Sequence, residues 1–118
     1  MEEIVVGIDL GTTNTLACYL KKGKPTLIKF PGSGKLLPSI VYIDEKARKK
    51  GILDPNNEIR SAKRYIGDFS KKWNCREYTL NATDVATKVL EEVKKSIIKK
   101  FKCDENTKIN AVITIPAY

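Results

Sequence analysis

The chain has 118 residues, 42% hydrophobic and 31% charged, which fits a globular domain rather than a disordered one. The net charge of +8 raises nucleic acid as a partner, but the basic residues fall in runs such as Lys46 to Lys50, Lys94-Lys95 and Lys99-Lys100 with no aromatics alternating among them, which disfavours a single-strand binder. No apolar run nears the roughly 20 residues that span a bilayer, and Met1-Glu2-Glu3 lacks the basic stretch and cleavage site of a signal peptide, so the expected compartment is the cytoplasm.

In chain order, Ile4 to Ile8 is a nearly continuous apolar run, as in a strand covered on both faces. Asp9 to Asn14 reads as a turn and Thr15 to Leu20 as a second strand. Lys21-Lys22-Gly23-Lys24 is a hairpin connection into a third strand at Thr26 to Phe30. Pro31 to Gly34 is a loop, and a short strand follows Pro38 at Ser39 to Ile43. Residues 44 to 58 are polar and basic, with a turn at Asp54 to Asn57.

Glu58 to Ile66 reads as a short helix stopped by Gly67 at the C′ position, whereas residues 68 to 80 show no period. A long helix is expected over Thr83 to Phe101, capped by Asn81 or Thr83, with Val85, Val89, Val93, Ile97 and Phe101 as its apolar stripe. Cys103 to Lys108 is a loop, and Ile109 to Ile115 a final strand closed by Pro116. Three strands joined by short turns, then a helix and a strand, predict an α/β fold with a mixed sheet and a flanking helix.

The chain has no histidine, and its three cysteines, Cys18, Cys75 and Cys103, form no C-x-x-C pair. This disfavours a zinc site and excludes Ser-His or Cys-His catalytic pairs, and packed, reduced thiols are expected. The chemistry concentrates elsewhere. Asp9 ends a buried strand, where ligand sites of α/β sheets lie. Gly11 allows close backbone approach, and Thr12, Thr13 and Asn14 offer a row of donors that can cradle phosphate oxygens. A carboxylate beside them can hold Mg²⁺ through water. The same residue types also make an ordinary β-turn, and the sequence holds no Walker loop. On the helix expected at Glu58 to Ile66, Lys63 shares a face with Ile59, Ala62 and Ile66. Such a lysine either snorkels outward or points at an anion.

Val6-Gly7-Ile8-Asp9-Leu10-Gly11-Thr12-Thr13-Asn14-Thr15 resembles the first phosphate loop of the 70-kDa heat-shock chaperone family. Leu37-Pro38-Ser39-Ile40-Val41 resembles the start of that family's second subdomain. Ala62-Lys63-Arg64-Tyr65-Ile66-Gly67 resembles the helix bearing its catalytic lysine. Ala111 to Tyr118 resembles the strand and proline that close this part of its nucleotide domain. The resemblance implies an actin-like ATPase fold of the ribonuclease H-like type, with an incomplete first lobe. Residues 1–38 and 81–118 would form one subdomain and 39–80 a shortened, inserted second one.

The resemblance also implies roles. Asp9 would hold Mg²⁺ through water, while Gly11, Thr12, Thr13 and Asn14 would line the phosphates of ATP or ADP. Lys63 would position the attacking water or stabilise charge on the γ-phosphate, and Pro116 would relay nucleotide state between domains. K⁺ is a further implied cation. The implied partners are unfolded or hydrophobic peptides, gripped by a domain absent here, with a J-domain co-chaperone and a nucleotide-exchange factor. The chain stops at Tyr118, before the family's second phosphate loop and adenosine pocket. The expectation is thus the inactive first piece of a chaperone ATPase. A sugar kinase, a filament ATPase, a degenerate nucleotide module and a basic nucleic-acid binder are the alternatives.

Overall fold

In the computed structural model, which describes residues 3–51, 55–75 and 79–114, a mixed sheet carries one long helix. Strands β1 (Ile4–Leu10), β2 (Asn14–Lys21), β3 (Lys24–Leu27), β4 (Leu37–Pro38) and β9 (Ile109–Ile113) form the sheet, in the order β3-β2-β1-β9 with β4 beside β2. β1 runs parallel to β9, Ile4 opposite Ile109 and Ile8 opposite Ile113, and antiparallel to β2, Gly7 opposite Cys18. The hairpin expected at Lys21 to Lys24 is present but tighter, a two-residue turn: Lys22 and Gly23 both take positive φ, at 52° and 77°, the geometry that matches the twist of the flanking strands.

Helix α2 (Ala82–Phe101) opens with a capping box. Asn81 Oδ1 accepts from the Asp84 N–H at 2.8 Å and Asp84 Oδ2 accepts from the Asn81 N–H at 2.9 Å. Its stripe lies as expected, with Val85, Val89, Val93 and Ile97 buried and Phe101 half-buried, edge-on to Tyr19 at 5.1 Å. The two halves of the helix serve different cores. Val93 and Ile97 pack on Val6, Ile8, Ala17, Ile28 and Phe30 of the sheet region. Val85 and Val89 pack on Leu10, Val41, Ile59, Ala62 and Leu80. Each such side chain contributes roughly 1.5–3 kcal/mol through its burial, so α2 joins the sheet to the segment between β4 and itself.

That segment departs from expectation. The strand expected at Ser39 to Ile43 shrinks to β5 (Val41–Tyr42), β4 lies before it, and Ser39 between the two is tied to the turn after β1. Helix α1 (Glu45–Lys49), capped by Asp44, occupies a stretch expected to be irregular. The helix expected at Glu58 to Ile66 is instead strand β6 (Glu58–Ile59), paired with β5, followed by one 3₁₀ turn at Ala62–Tyr65. Ser61, at φ 56°, is left-handed and separates the two, so Ile59 and Ala62 reach the core from different elements. Gly67 does end the turn, at φ 96°. β7 (Lys72–Asn74) and β8 (Thr79–Asn81) pair where no period was legible.

The two-sided burial expected for β1 is not seen. Val6, Ile8 and Leu10 are buried, whereas Val5 is 63% exposed and Val112 on β9 74% exposed. Only one face of the sheet lies under α2. Cys18, Cys75 and Cys103 are half-buried free thiols. No helix among the described residues is long and apolar enough to cross a membrane.

Candidate active site

β1 delivers Asp9 to the C-terminal end of the sheet, next to the end of its parallel neighbour β9. The Thr114 N–H donates to the Ile8 carbonyl at 3.0 Å, which fixes the backbone, and the Thr114 hydroxyl donates to Asp9 Oδ1 at 2.9 Å. Asp9 is exposed, and among the described residues its second carboxylate oxygen carries no partner.

The turn from Gly11 to Asn14 is held tightly. A Cβ on Gly11 would lie 2.1 Å from the Asn14 carbonyl oxygen, so only glycine fits. The close approach expected of Gly11 is thus to its own chain. Ser39 clamps the turn from the side: its hydroxyl donates to the Gly11 carbonyl at 2.9 Å, and its N–H donates to the Thr13 carbonyl at 2.9 Å. The Ser39 hydroxyl also bonds the Thr15 hydroxyl at 2.8 Å, and both residues are buried. Carbonyls of the turn are therefore occupied by Ser39, while the Thr12 and Thr13 N–H groups find no backbone acceptor among the described residues. A turn with its acceptors tied back and its donors open favours an anion. Thr12 is half-buried, and Thr13 and Asn14 are exposed.

Lys63 stands in the 3₁₀ turn rather than on a helix face, and Ile66, expected to share its packed side, is 42% exposed. The helical argument for its direction fails, yet the turn still brings Lys63 to the loop. Ala62 anchors in the core beneath α2, and Leu10, Gly11, Ser39, Ala62, Lys63 and Val85 line one cleft of about 10 Å³. Behind the turn, Tyr65 packs edge-on against Trp73 at 5.9 Å, with the Lys71 ammonium 5.1 Å from one ring and 5.2 Å from the other.

Asp9, Gly11, Thr12, Thr13 and Asn14 are thus contiguous, and Lys63 joins Gly11 across the cleft. Pro116 lies outside the described residues. Sequence reasoning overlooked Ser39 and Thr114, each a hydroxyl set in an apolar stretch, Leu37 to Ile43 and Ile109 to Ile115. A hydroxyl among β-branched residues hints at an internal bond, but its partner lies 28 and 105 residues away, respectively.

The donor set suits Mg²⁺ held through water, since that ion keeps most of its waters and needs only one or two carboxylates. Asp9 supplies one, exposed and oriented. No group of three or more His, Cys, Asp or Glu able to enclose a metal exists among the described residues.

Comparison with known proteins gives a consistent result. The family model described as Hsp70 protein matches residues 5–118. A chaperone protein DnaK of Ureaplasma urealyticum is 36% identical over 126 aligned positions covering 99% of this chain and 20% of that protein. The DnaK of Nitrosopumilus maritimus is 35% identical over 97% of this chain and 19% of its own length. That of Methanothermobacter thermautotrophicus is 36% identical over 99% and 21%. The chain spans about a fifth of the length of these relatives. These matches do not favour the sugar-kinase or filament alternatives.

Proposed function

The chain belongs to the Hsp70 family, and from that premise we propose that it carries one phosphate-binding side of an ATP-hydrolysing chaperone site. The fold type we propose is the actin-like, ribonuclease H-like ATPase. Residues 1–38 and 81–118 make one subdomain and 39–80 a second, smaller one, a division supported by the sheet's strands falling in the first set and the pairs β5–β6 and β7–β8 lying mostly in the second.

The observation that carries the reading is the turn at Gly11 to Asn14, whose carbonyls are tied back to Ser39 while its N–H groups stay open, with Lys63 beside Gly11. On the solvent side of the turn, the open N–H groups and hydroxyls of Thr12 and Thr13, with Asn14, bind the β- and γ-phosphates of ATP. Asp9, steadied by Thr114, holds water on Mg²⁺; the ion, when bound, neutralises phosphate charge. Lys63 orients the attacking water or stabilises charge on the transferring phosphoryl group. Positioning and preorganised charge of this kind supply most of the catalysis of phosphoryl transfer. Hydrolysis serves the grip and release of exposed hydrophobic peptides, with K⁺, a J-domain protein and an exchange factor as accessories and the cytoplasm as the place of action.

A chimera in which this chain replaces the matching fifth of the Ureaplasma relative tests the reading. It should hydrolyse ATP. Lys63→Ala should lower single-turnover hydrolysis by roughly a hundredfold or more while leaving ATP binding within a few-fold, because a group acting on the transition state changes rate before affinity. A Lys63→Ala chimera that turns over normally would remove Lys63 from the mechanism. A chimera that folds but does not bind Mg·ATP would remove the phosphate-site reading.

A further inference from the structure

The phosphate turn lies at the C-terminal end of β1. At the opposite end of the sheet, where β2 finishes and α2 runs out, a groove of about 660 Å³ opens between the β2–β3 hairpin and the last turns of the helix. Lys21, Lys29, Lys35, Lys99 and Lys100 line it, and no carboxylate does so among the described residues. Its apolar floor includes Leu27, 40% exposed, and Pro31.

Part of this charge has an ordinary structural reason. Lys99 and Lys100 sit in the last turn of α2, where cations complement the helix dipole. Lys21 ends a strand beside the hairpin turn. Lys29 and Lys35 have neither reason. They bracket an antiparallel bridge between Phe30 and Gly34, closed by the Phe30 N–H to the Gly34 carbonyl at 2.6 Å and the Gly34 N–H to the Phe30 carbonyl at 3.1 Å. The register of that bridge sets Lys29 opposite Lys35, and like charges placed directly opposite one another repel. Among the described residues neither forms an ion pair. A bridge that sets two lysines without ion pairs opposite one another, in a groove lined also by two lysines of the helix, favours an anionic occupant.

We infer that this groove docks an acidic peptide segment interspersed with apolar side chains. Carboxylates would bridge Lys29 and Lys35 to Lys99, and an apolar residue would rest on Leu27 and Pro31. Charge complementarity decides the sign of the partner, and the state of the rings decides its class. Base stacking needs an open aromatic face. Phe30 is only 3% exposed, and Tyr19 is engaged edge-on by Phe101, with the Lys100 ammonium 5.8 Å from its centroid. An acidic peptide is therefore a better fit than RNA. The site is separate from the nucleotide reading and stands without it.

Fluorescence anisotropy with a short labelled peptide alternating glutamate and leucine tests the inference on the chain itself. Binding should saturate and weaken with salt. Lys29→Glu/Lys35→Glu should reduce affinity about tenfold or more, whereas the equal charge change Lys46→Glu/Lys49→Glu on α1 should reduce it by about twofold or less. Lys99→Glu, on a different element, provides a second groove variant, and circular dichroism reports the fold of each. No saturable binding, equal losses for groove and α1 variants, or tighter binding of an oligouridylate of equal charge through the same lysines would each overturn the proposal.

Discussion

Thr114 and Asp9 are 105 positions apart in sequence, yet the Thr114 hydroxyl lies 2.9 Å from Asp9 Oδ1. The parallel pairing of β1 and β9 brings them together, and the bond selects one orientation for an otherwise exposed carboxylate. Thr114→Val removes the donor and keeps the shape. Because Asp9 is exposed, stability should fall by about 1 kcal/mol or less in urea unfolding. In the chimera, hydrolysis should drop while Thr114→Ser restores it. Loss of activity in both variants alike would show that the hydroxyl does not act through Asp9.

Ser39→Ala should be more costly to the fold. It leaves the buried Thr15 hydroxyl and the Gly11 carbonyl each without the Ser39 hydroxyl, a loss of about 1–3 kcal/mol. Combined with Thr15→Val, the penalty should be less than the sum of the two, because both variants break the same bond. Additive penalties in denaturant melts would show that the two hydroxyls act independently.

Gly11→Ala places a methyl group where the Asn14 carbonyl oxygen already stands, so the turn must open. Strain of this kind costs on the order of 1–3 kcal/mol. Amide exchange at Thr12, Thr13 and Asn14 should accelerate while α2 stays protected. Unchanged exchange in the turn would contradict this crowding.

Asn81→Ala removes one arm of the capping box on α2 and should destabilise the chain by about 0.5–2 kcal/mol. Asp84→Ala, which removes the reciprocal arm and a negative charge from the first turn, should cost less, about 0.3–1 kcal/mol, with part of the loss screened by salt. Thermal melts at low and high ionic strength measure both. A larger, salt-independent loss at Asp84 would show that packing rather than the dipole governs that position.

Local chemistry made the sheet and helix legible. The Lys22-Gly23 turn needs positive φ at adjacent positions, α2 repeats its apolar residues at helical spacing over five turns' worth of sequence, and Asn81 precedes that repeat with Asp84 three places on. The turn between β1 and β2 was legible for the same reason: Gly11, Thr12, Thr13 and Asn14 are neighbours in the chain. Between residues 39 and 81 the reading failed, because β5 and β6 have only two residues each and owe their existence to pairing across 15 or more intervening positions rather than to a repeat.

Lys63 shows the division most clearly. Its residue type and its neighbours marked it from sequence, but the helix invoked to aim it does not exist. A left-handed Ser61 and the burial of Ala62 under α2 bring it to Gly11 instead. Sequence by itself marked the glycine and the row of donors in the turn, since those depend on short-range residue types and backbone freedom. Only the tertiary structure decided how they are held, through Ser39 and Thr114, because each of those bonds joins groups that the chain places far apart and that the fold brings within 3 Å.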